Sequence, residues 1–504
     1  MDEPKAKMRN RLVDLKRWAK FHELPFRMPD NFPIKTSRAL RAAIACADAG
    51  TSPLIVEGSG IGSASGAPPV AGIAASIDER DSTAHRDDTV SAGGEATDKV
   101  AAARVCGEAV PTLAELERWG LVLRRRDGGL PHVASAPGHS VDRMTGCGDS
   151  TVREVTRILE EQVIKRGIQR WADTIPIQLA VDNQQVRGVI AVNVLSGEVF
   201  SIQAKAVILA TEGHQGLWTS PNDGAGTGAA LALGAGISLR GMDSTPLHPL
   251  SVSNCDIHIP MDVLGSGGRI RRESGEDVGP EEVLQGEPCV LDLRVLDSES
   301  APWFSQTATK VSDRIGIDIS REVIPITTGV AYTTGGAPCD EFGRVSFEGF
   351  TPEGLPARLW LTGLYAAGRS AHLGTHGNSP LPGNILLEDL VTGKAAGAHA
   401  SEWSADVQFG GPSVIDEACK DSAERIESMR NGEGLSVGQF ATRLSSAVGA
   451  LPSEPTENGS SAIADLLGEG IRLTDSPVVM NTEMVTAIRL DGLASVATSI
   501  IGSV

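Results

Sequence analysis

Residues 36–50 have the spacing of an amphipathic helix, and the residues after them have the pattern of a short buried strand. The helix starts at hydroxyl side chains and stops at Gly50, because such side chains favour helix N-termini and glycine favours the position after a helix. The apolar run at residues 53–57 then ends in the carboxylate of Glu57. A helix followed by a strand with an acid at its tip is the second half of a dinucleotide-binding unit, in which the acid hydrogen-bonds ribose hydroxyls.

The turn before this helix lacks the glycines that a dinucleotide-binding unit uses. Its three glycine positions fall on Ile34, Thr36 and Ala39. Alanine is tolerated at the third position, but side chains at the first two block the tight turn and the approach of the backbone to a pyrophosphate. A second glycine-rich run, residues 58–62, follows the strand. The prolines at positions 68 and 69 favour a connecting loop there over a phosphate loop.

Further elements follow along the chain. Residues 96–127 predict one long helix, residues 206–213 a buried strand rich in branched apolar side chains, and residues from about 413 onward a helical tail. Together with the dinucleotide-type unit they predict an α/β body. At 504 residues and 41% apolar content, the chain is long enough for two or three domains, each with its own core.

The N-terminus differs from the rest of the chain in its balance of acidic and basic residues. The 64 acidic and 45 basic residues give a net charge of -19, which argues against DNA or RNA binding by the body of the protein. Between Lys5 and Arg27, however, eight basic residues face only two acids. This basic arm either docks on an acidic protein surface, a phospholipid membrane or RNA, or is a solvated helix packed on its own domain; charge runs favour the latter.

The cysteines and the apolar runs indicate in which cellular compartment the protein is expected. The seven cysteines are scattered without any Cys-x-x-Cys spacing, which favours a reducing compartment. We see no apolar run that approaches the roughly 18 residues of a membrane span, and no apolar core of a secretory signal, so we expect the protein not to be secreted. Acidic residues near the start weaken an organellar address without excluding it.

Residues 363–388 carry the most informative motif. They run Gly-Leu-Tyr-Ala-Ala-Gly, Arg369, then His-Gly-Asn-Ser, Pro380, and finally Asn384 with Ile-Leu-Leu-Glu. This stretch resembles the return segment of the flavoprotein subunits of succinate dehydrogenase and fumarate reductase, and of aspartate oxidase. In that pattern a glutamate stands at the position of Arg369 and an arginine at that of Pro380.

The resemblance implies an α/β fold with an FAD-binding, Rossmann-like domain, a shortened α+β capping domain and a helical C-terminal domain. Other motifs of the family follow in the same order from about residue 36 to the end of the chain. We expect a basic arm at 1–35, the FAD-binding-like domain at 36–243 and 338–412, the capping domain at 244–337 and the helical region at 413–504.

The resemblance also points to the substrate residues of the family. One substrate histidine is kept as His248, whereas Leu264, Ala331 and Pro380 stand where the family has an arginine, a second histidine and a carboxylate-binding arginine. Because an arginine fork to a carboxylate is a charge-assisted pair that proline cannot imitate, dicarboxylate turnover is expected to be lost. We therefore predict no catalytic residue, with His248 as a vestige.

The cofactor positions are altered as well. Glu212 replaces a glycine beside the flavin, and Ser65 stands near the usual covalent flavin histidine. We expect no bound cofactor; the alternative is FAD held noncovalently through Glu57 and Asn384. No metal is predicted, because the histidines at 372 and 376 have no other ligands arranged beside them.

These expectations lead to a hypothesis about function. The chain is expected to be a pseudoenzyme, a structural or accessory subunit of a larger respiratory or organellar complex. Its partners would be protein subunits, one of them similar to an iron-sulfur subunit. We expect a mitochondrial location, in the matrix or on the matrix face of the inner membrane, or a cytoplasmic one. The alternative is an FAD-dependent oxidoreductase that acts on a different substrate near His248.

Overall fold

The fold is taken from a computed structural model, which describes residues 37–58, 69–125, 129–351, 353–453, 456 and 458–501. The basic arm at 1–35 lies outside the described residues. So do Ile34 and Thr36 of the altered turn, Ser65, and all but the first residue of the glycine-rich run at 58–62.

Two long helices pack closely and bring their first turns together. Helix Ser37–Asp48 buries Leu40 and Ile44 and leads into strand Leu54–Val56, which pairs in parallel with strand Gln169–Trp171. Its neighbour is helix Asn384–Ala405. Glycines on the second helix permit the close approach, since a Cβ at Gly393 would lie 2.6 Å from the carbonyl oxygen of Arg38.

The central sheet has six strands, and the residues that follow two of these strands lie at the same edge of the sheet. Strand Pro356–Ala366 pairs in parallel with strand Val207–Leu209. Because the carboxyl ends of parallel strands meet at the same edge, the residues that follow the two strands, Glu212 and Arg369, lie in one region. The remaining strands of this sheet are Thr174–Asp182, Gln185–Asn193, Val199–Gln203 and Arg344–Phe350.

The segment between residues 248 and 329 forms a lobe with its own core. Its antiparallel sheet has five strands, in the order Asp277–Val278, Arg269–Arg272, Cys289–Asp292, Ile324–Gly329 and His248–Val252. Helices Asp262–Gly265, Pro280–Leu284 and Ser305–Ile315 complete the lobe. Phe304, Leu291 and Ile324 are among the buried side chains that pack together in it.

The single long helix predicted at 96–127 is two helices, so that prediction was wrong. The structure has Lys99–Gly107 and Ala109–Arg118, which meet at Glu108. The physical reason is Pro111, because proline has no N–H to donate to the carbonyl four residues back and its ring crowds that carbonyl. The chain therefore turns at Glu108.

The C-terminal region is helical, as expected. Helices Pro412–Asn431, Val437–Val448, Gly459–Glu469 and Thr482–Ile501 share a core that includes Phe440, Leu466 and Leu493. The last helix is long and apolar enough to span a membrane by length and composition, with a mean hydropathy of 1.4, although half of that stretch is buried inside the protein. This helix differs from the expectation that no apolar run approaches the length of a membrane span, because Arg489 and Asp491 interrupt its apolar sequence.

The remaining helices and strands lie between these parts. The helices are Glu79–Asp81, Ser82–Gly93, Gly94–Ala96, Thr151–Lys165, Gln215–Leu217, Thr227–Gly234, Ala301–Phe304 and Gly368–Ser370, and the strands are Ile73–Ala74, Met144–Thr145, Ala337–Pro338, Ala371–His372, Leu435–Ser436 and Ile471–Arg472.

Candidate functional site

Arg38 lies fully buried in the first turn of helix Ser37–Asp48. Its Nη1 donates to Oδ2 of Asp389 at 3.0 Å, and the Oγ of Ser37 donates to the same oxygen at 3.4 Å. The Nε and Nη2 of Arg38 have no hydrogen-bond partner among the described residues. A buried guanidinium with unpartnered N–H groups calls for an anionic or acceptor group from outside.

Arg369 lies beside Arg38, in the turn Gly368–Ser370. It is only 6% exposed, and its Nε and Nη1 also lack partners within the described ranges. Burial lowers its pKa to about 10, and the charge of Arg38 acts in the same direction while Asp389 and Glu212 oppose it. The guanidinium is still protonated at neutral pH. The two arginines therefore present unpartnered N–H donors in one buried region.

Glu57 lies at the tip of the first strand, as predicted, and faces Arg170. The Nε of Arg170 donates to Oε1 of Glu57 at 2.9 Å, and Nη2 contacts the same oxygen. The Nη1 of Arg170 reaches Oε2 of Glu160 at 2.5 Å. Burial alone would lower the pKa of Arg170, but the two carboxylates raise it above its ordinary value. Among the described residues, Glu57 forms its ion pair with Arg170 and not with Arg369.

Asn384 begins the long helix Asn384–Ala405 and is fully buried. The Nε2 of His85 bonds with its Oδ1 at 2.7 Å, and its Nδ2 donates to Oγ1 of Thr89 at 2.9 Å. Burial lowers the pKa of His85, so its neutral ring can donate to the amide oxygen. Both polar atoms of Asn384 are thus engaged with protein groups, and its contact with a cofactor stays a prediction.

His248 is held neutral in the lobe of residues 248–329. It is 3% exposed, and its Nε2 donates to the carbonyl oxygen of Ile259 at 2.9 Å. Its ring contacts the His258 ring edge-on, and the two ring centroids lie 5.7 Å apart. Burial, and then the neighbouring His258, lower the pKa of His248 to about 3. An uncharged ring whose N–H is bonded to the backbone cannot act as a cation for a substrate carboxylate.

A cavity of about 300 Å³ lies between residues 240–244, residues 333–335 and the segment 368–378. Its polar lining includes Arg240, Arg369, His372, His376 and Glu388. The Nε2 of His376 lies 3.0 Å from Oε2 of Glu388. Burial alone would raise the pKa of Glu388, but His376 brings it below its ordinary value. The cavity thus combines two guanidinium groups with a bonded histidine–carboxylate pair.

The structure also locates the replaced positions. Ala331 is 6% exposed, and Leu264 packs partly buried against the lobe core. Glu212 accepts from Oγ1 of Thr227 at 3.1 Å. Among the described residues, no group of three or more His, Cys, Asp or Glu side chains is arranged to hold a metal ion.

Sequence reasoning missed Arg38. It treated the start of the helix only as a turn without glycines, and a lone arginine within a helical pattern gives no sign of burial. The available signal was that Arg38 lies in the first helical turn, where a dinucleotide's phosphates meet the helix N-terminus. The sequence marks Arg369 as a replaced residue, but it does not show that Arg369 lies beside Arg38, because the two positions are 331 residues apart.

Comparison with known proteins identifies the family. The family described as FAD binding domain matches residues 39–304 and 287–386, more than half of the chain. The fumarate reductase flavoprotein subunit of Haemophilus influenzae is 27% identical over 489 residues, covering 86% of this chain and 79% of that protein. The succinate dehydrogenase flavoprotein subunit of Rickettsia bellii is 25% identical over 459 residues, covering 81% and 76%.

A solved structure gives the same fold. The FrdA chain of E. coli quinol fumarate reductase superposes with a TM-score of 0.82 at 22% identity, covering 92% of this chain and 86% of that one. The Sdh1 chain of Mycobacterium smegmatis gives a TM-score of 0.76 at 22% identity, covering 93% and 85%. The predicted flavoprotein fold with a helical C-terminal region is confirmed.

The expectation that the chain holds no cofactor was wrong. The FAD binding domain family spans the body of the chain, and the relatives from Haemophilus influenzae and Rickettsia bellii are named flavoprotein subunits. The physical reason is that the glycine pattern alone carries no information about the two buried arginines, whose unpartnered N–H groups suit an anionic ligand. The chain therefore belongs to the FAD-binding flavoproteins and is a homologue of the succinate dehydrogenase and fumarate reductase flavoprotein subunits.

Proposed function

We propose that this chain is an FAD-holding accessory subunit of a larger complex that does not turn over succinate or fumarate. The observation that carries the proposal is the state of His248, the one substrate histidine that the family resemblance keeps. It is buried, neutral and bonded to the carbonyl oxygen of Ile259. A group in that state offers neither a positive charge to a carboxylate nor a free proton to a product.

The residues present fit FAD. The free Nε and Nη atoms of Arg38 and Arg369 are donors suited to an anionic diphosphate. Glu57 stands at the strand tip where a carboxylate accepts ribose hydroxyls, and Arg170 fixes its orientation through Oε1. Serine at position 65 favours noncovalent attachment. When bound, the flavin supplies the capacity to accept or donate a hydride.

The loss of dicarboxylate turnover follows from the replaced side chains. A dicarboxylate needs cationic or hydrogen-bonding groups at both ends and an acid or base for the second proton. Leu264, Ala331 and Pro380 provide none of these functions. Aliphatic and proline side chains cannot make charge-assisted hydrogen bonds, so the family's mode of substrate binding has no counterpart at these three positions.

The cavity supports a second candidate, an oxidoreductase that acts on a different substrate. About 300 Å³ is at the lower end of small-molecule sites. Arg240 and the His376–Glu388 pair could bind an anionic or polar compound there. This candidate shares FAD with the first and differs from it in having a substrate.

The partners are proposed from the relatives, whose names describe them as flavoprotein subunits. We propose that protein subunits dock on this chain, one of them similar to an iron-sulfur subunit, with the arm at 1–35 available for an acidic surface, a membrane or RNA. The relatives include bacterial subunits and a mitochondrial one from rice. A mitochondrial or cytoplasmic location is compatible with both.

The test uses the native protein purified with its partners under mild conditions. We expect visible flavin absorbance at a stoichiometry of about one, with no succinate oxidation or fumarate reduction above a flavin-only control. Turnover of either dicarboxylate would refute the proposal. Flavin reduction by another metabolite, lost on Arg240→Gln, would establish the second candidate in its place.

A further inference from the structure

Two arginines converge at the start of helix Ser37–Asp48. Arg38 is fully buried and Arg369 is 6% exposed. A Cβ on Gly368 would lie 2.5 Å from Cδ of Arg38, so the backbone that carries Arg369 lies directly against the Arg38 side chain. Four of the six guanidinium nitrogens, two on each arginine, have no partner in the described part of the chain.

The nearby acids do not account for these free donors. Asp389 takes one nitrogen of Arg38 through Oδ2, and its Oδ1 accepts no hydrogen bond from the described residues. Glu388 is engaged by His376 at 3.0 Å, and Glu212 accepts from Thr227. Buried N–H groups without an acceptor are unfavourable, and an anion that accepts hydrogen bonds from them would complete the site.

The N-terminus of the helix also favours an anion at this place. Helix Ser37–Asp48 is 12 residues long, and the N–H groups of its first turn, together with the helix dipole, favour an anion at that end. In a dinucleotide-binding unit the glycine-rich turn lets the backbone approach the phosphates. Where side chains prevent that approach, planar guanidinium groups can reach phosphate oxygens from a greater distance and bind two of them at once.

We propose that Arg38 and Arg369 form a cationic clamp that binds the diphosphate of FAD in place of the glycine-rich turn. Asp389 holds the Arg38 side chain in position through Nη1, and the free Nε and Nη atoms of both arginines donate to phosphate oxygens. The clamp rests on the FAD of the proposed function, but it does not depend on the absence of dicarboxylate turnover.

The test measures ligand affinity on the full chain after removal of its flavin. FAD, riboflavin and inorganic pyrophosphate serve as probes, because riboflavin has the ring system without phosphate. We expect Arg38→Gln and Arg369→Gln each to weaken FAD and pyrophosphate binding by about tenfold or more. Riboflavin affinity should change by less than about twofold. The wild-type affinity for FAD should also fall more steeply with salt than that of either variant.

Arg41→Gln is the matched control. Arg41 is a buried arginine on the same helix that pairs with Glu115 and lies over the Trp119 ring at 4.8 Å. Of its guanidinium nitrogens only Nε is buried without a partner among the described residues, whereas Arg38 has two such nitrogens. It is expected to lower stability and leave FAD affinity unchanged. If Arg38→Gln does not fold, Arg369→Gln carries the same test, since Arg369 forms no ion pair within 4 Å among the residues described.

Three results would overturn the clamp. The first is wild-type protein that binds neither FAD nor pyrophosphate. The second is unchanged FAD and pyrophosphate affinity in both arginine variants. The third is an equal loss of riboflavin affinity, which would indicate general damage to the site. Succinate turnover by the wild type would refute the proposed function alone, so the two failures can be told apart.

Discussion

Adding one methyl group between the two long helices should destabilise the protein and disturb the arginine site. Gly393 lies in the interior of helix Asn384–Ala405. In Gly393→Ala the new Cβ would stand 2.6 Å from the carbonyl oxygen of Arg38, about 0.8 Å inside the 3.4 Å at which ordinary contact begins. Both contacting groups are backbone or Cβ atoms, so the helices themselves must move apart.

The change in the free energy of unfolding is the balance of two contributions. Overpacking of this kind costs about 1 to 3 kcal/mol, and alanine regains about 1 kcal/mol of helix propensity over glycine. A net loss of up to about 2 kcal/mol corresponds to a fall of the thermal midpoint by up to about 8 °C in a domain of this size. Because the displaced backbone belongs to Arg38, flavin retention through gel filtration should fall as well.

The assay is thermal unfolding of the full chain, with Gly468→Ala as the matched control. Gly468 is also a helical glycine, but a Cβ there meets nothing within 4 Å, so alanine should raise stability by about 0.5 to 1 kcal/mol. If Gly393→Ala raises the midpoint in the same way as Gly468→Ala, the helix contact is not as tight as described and the positioning of Arg38 by that contact is refuted.

Three further predictions concern single side chains. His248 has a folded pKa of about 3, below the unfolded value of about 6.5, so the unfolded chain binds the extra proton and stability falls as the pH drops below about 6.5. In thermal scans between pH 7 and 5, His248→Gln should flatten this fall, whereas an unchanged slope would contradict the assigned burial. Glu57→Gln should weaken FAD retention on gel filtration, whereas Glu160→Gln, which breaks the other contact of the same arginine, should not; equal effects would argue against a ribose contact. Asn384→Ala should cost about 1 to 3 kcal/mol, because two buried partners lose their bonds, while the exposed Asn378→Ala should change urea unfolding by less than about 0.5 kcal/mol.

Local pattern was enough to predict several elements. The helix now seen at Ser37–Asp48 and the strand at Leu54–Val56 follow from periodicity and from the residues at their ends. The order of the family motifs was enough to predict the flavoprotein fold. The helix predicted at 96–127 was wrong because a single proline, Pro111, outweighs the propensity of the helical residues around it.

The site was harder to predict because its chemistry depends on burial and on contacts between distant positions. Arg38 and Asp389 are far apart in sequence, yet their side chains bond at 3.0 Å in the interior. Glu57 was recognised as a strand-tip acid, but its partner Arg170 became visible only through the parallel pairing of their strands. Nothing in the motif around His248 indicates that its ring is fully enclosed and bonded to a carbonyl.

The most direct test of the account is an anaerobic spectral titration of the native, flavin-loaded protein with succinate. We expect a flavin spectrum that stays oxidised at any succinate concentration, since we propose that Leu264, Ala331 and Pro380 replace the substrate-binding side chains of the family and His248 is neutral. Bleaching of the flavin band by succinate, reversed by fumarate, would contradict it.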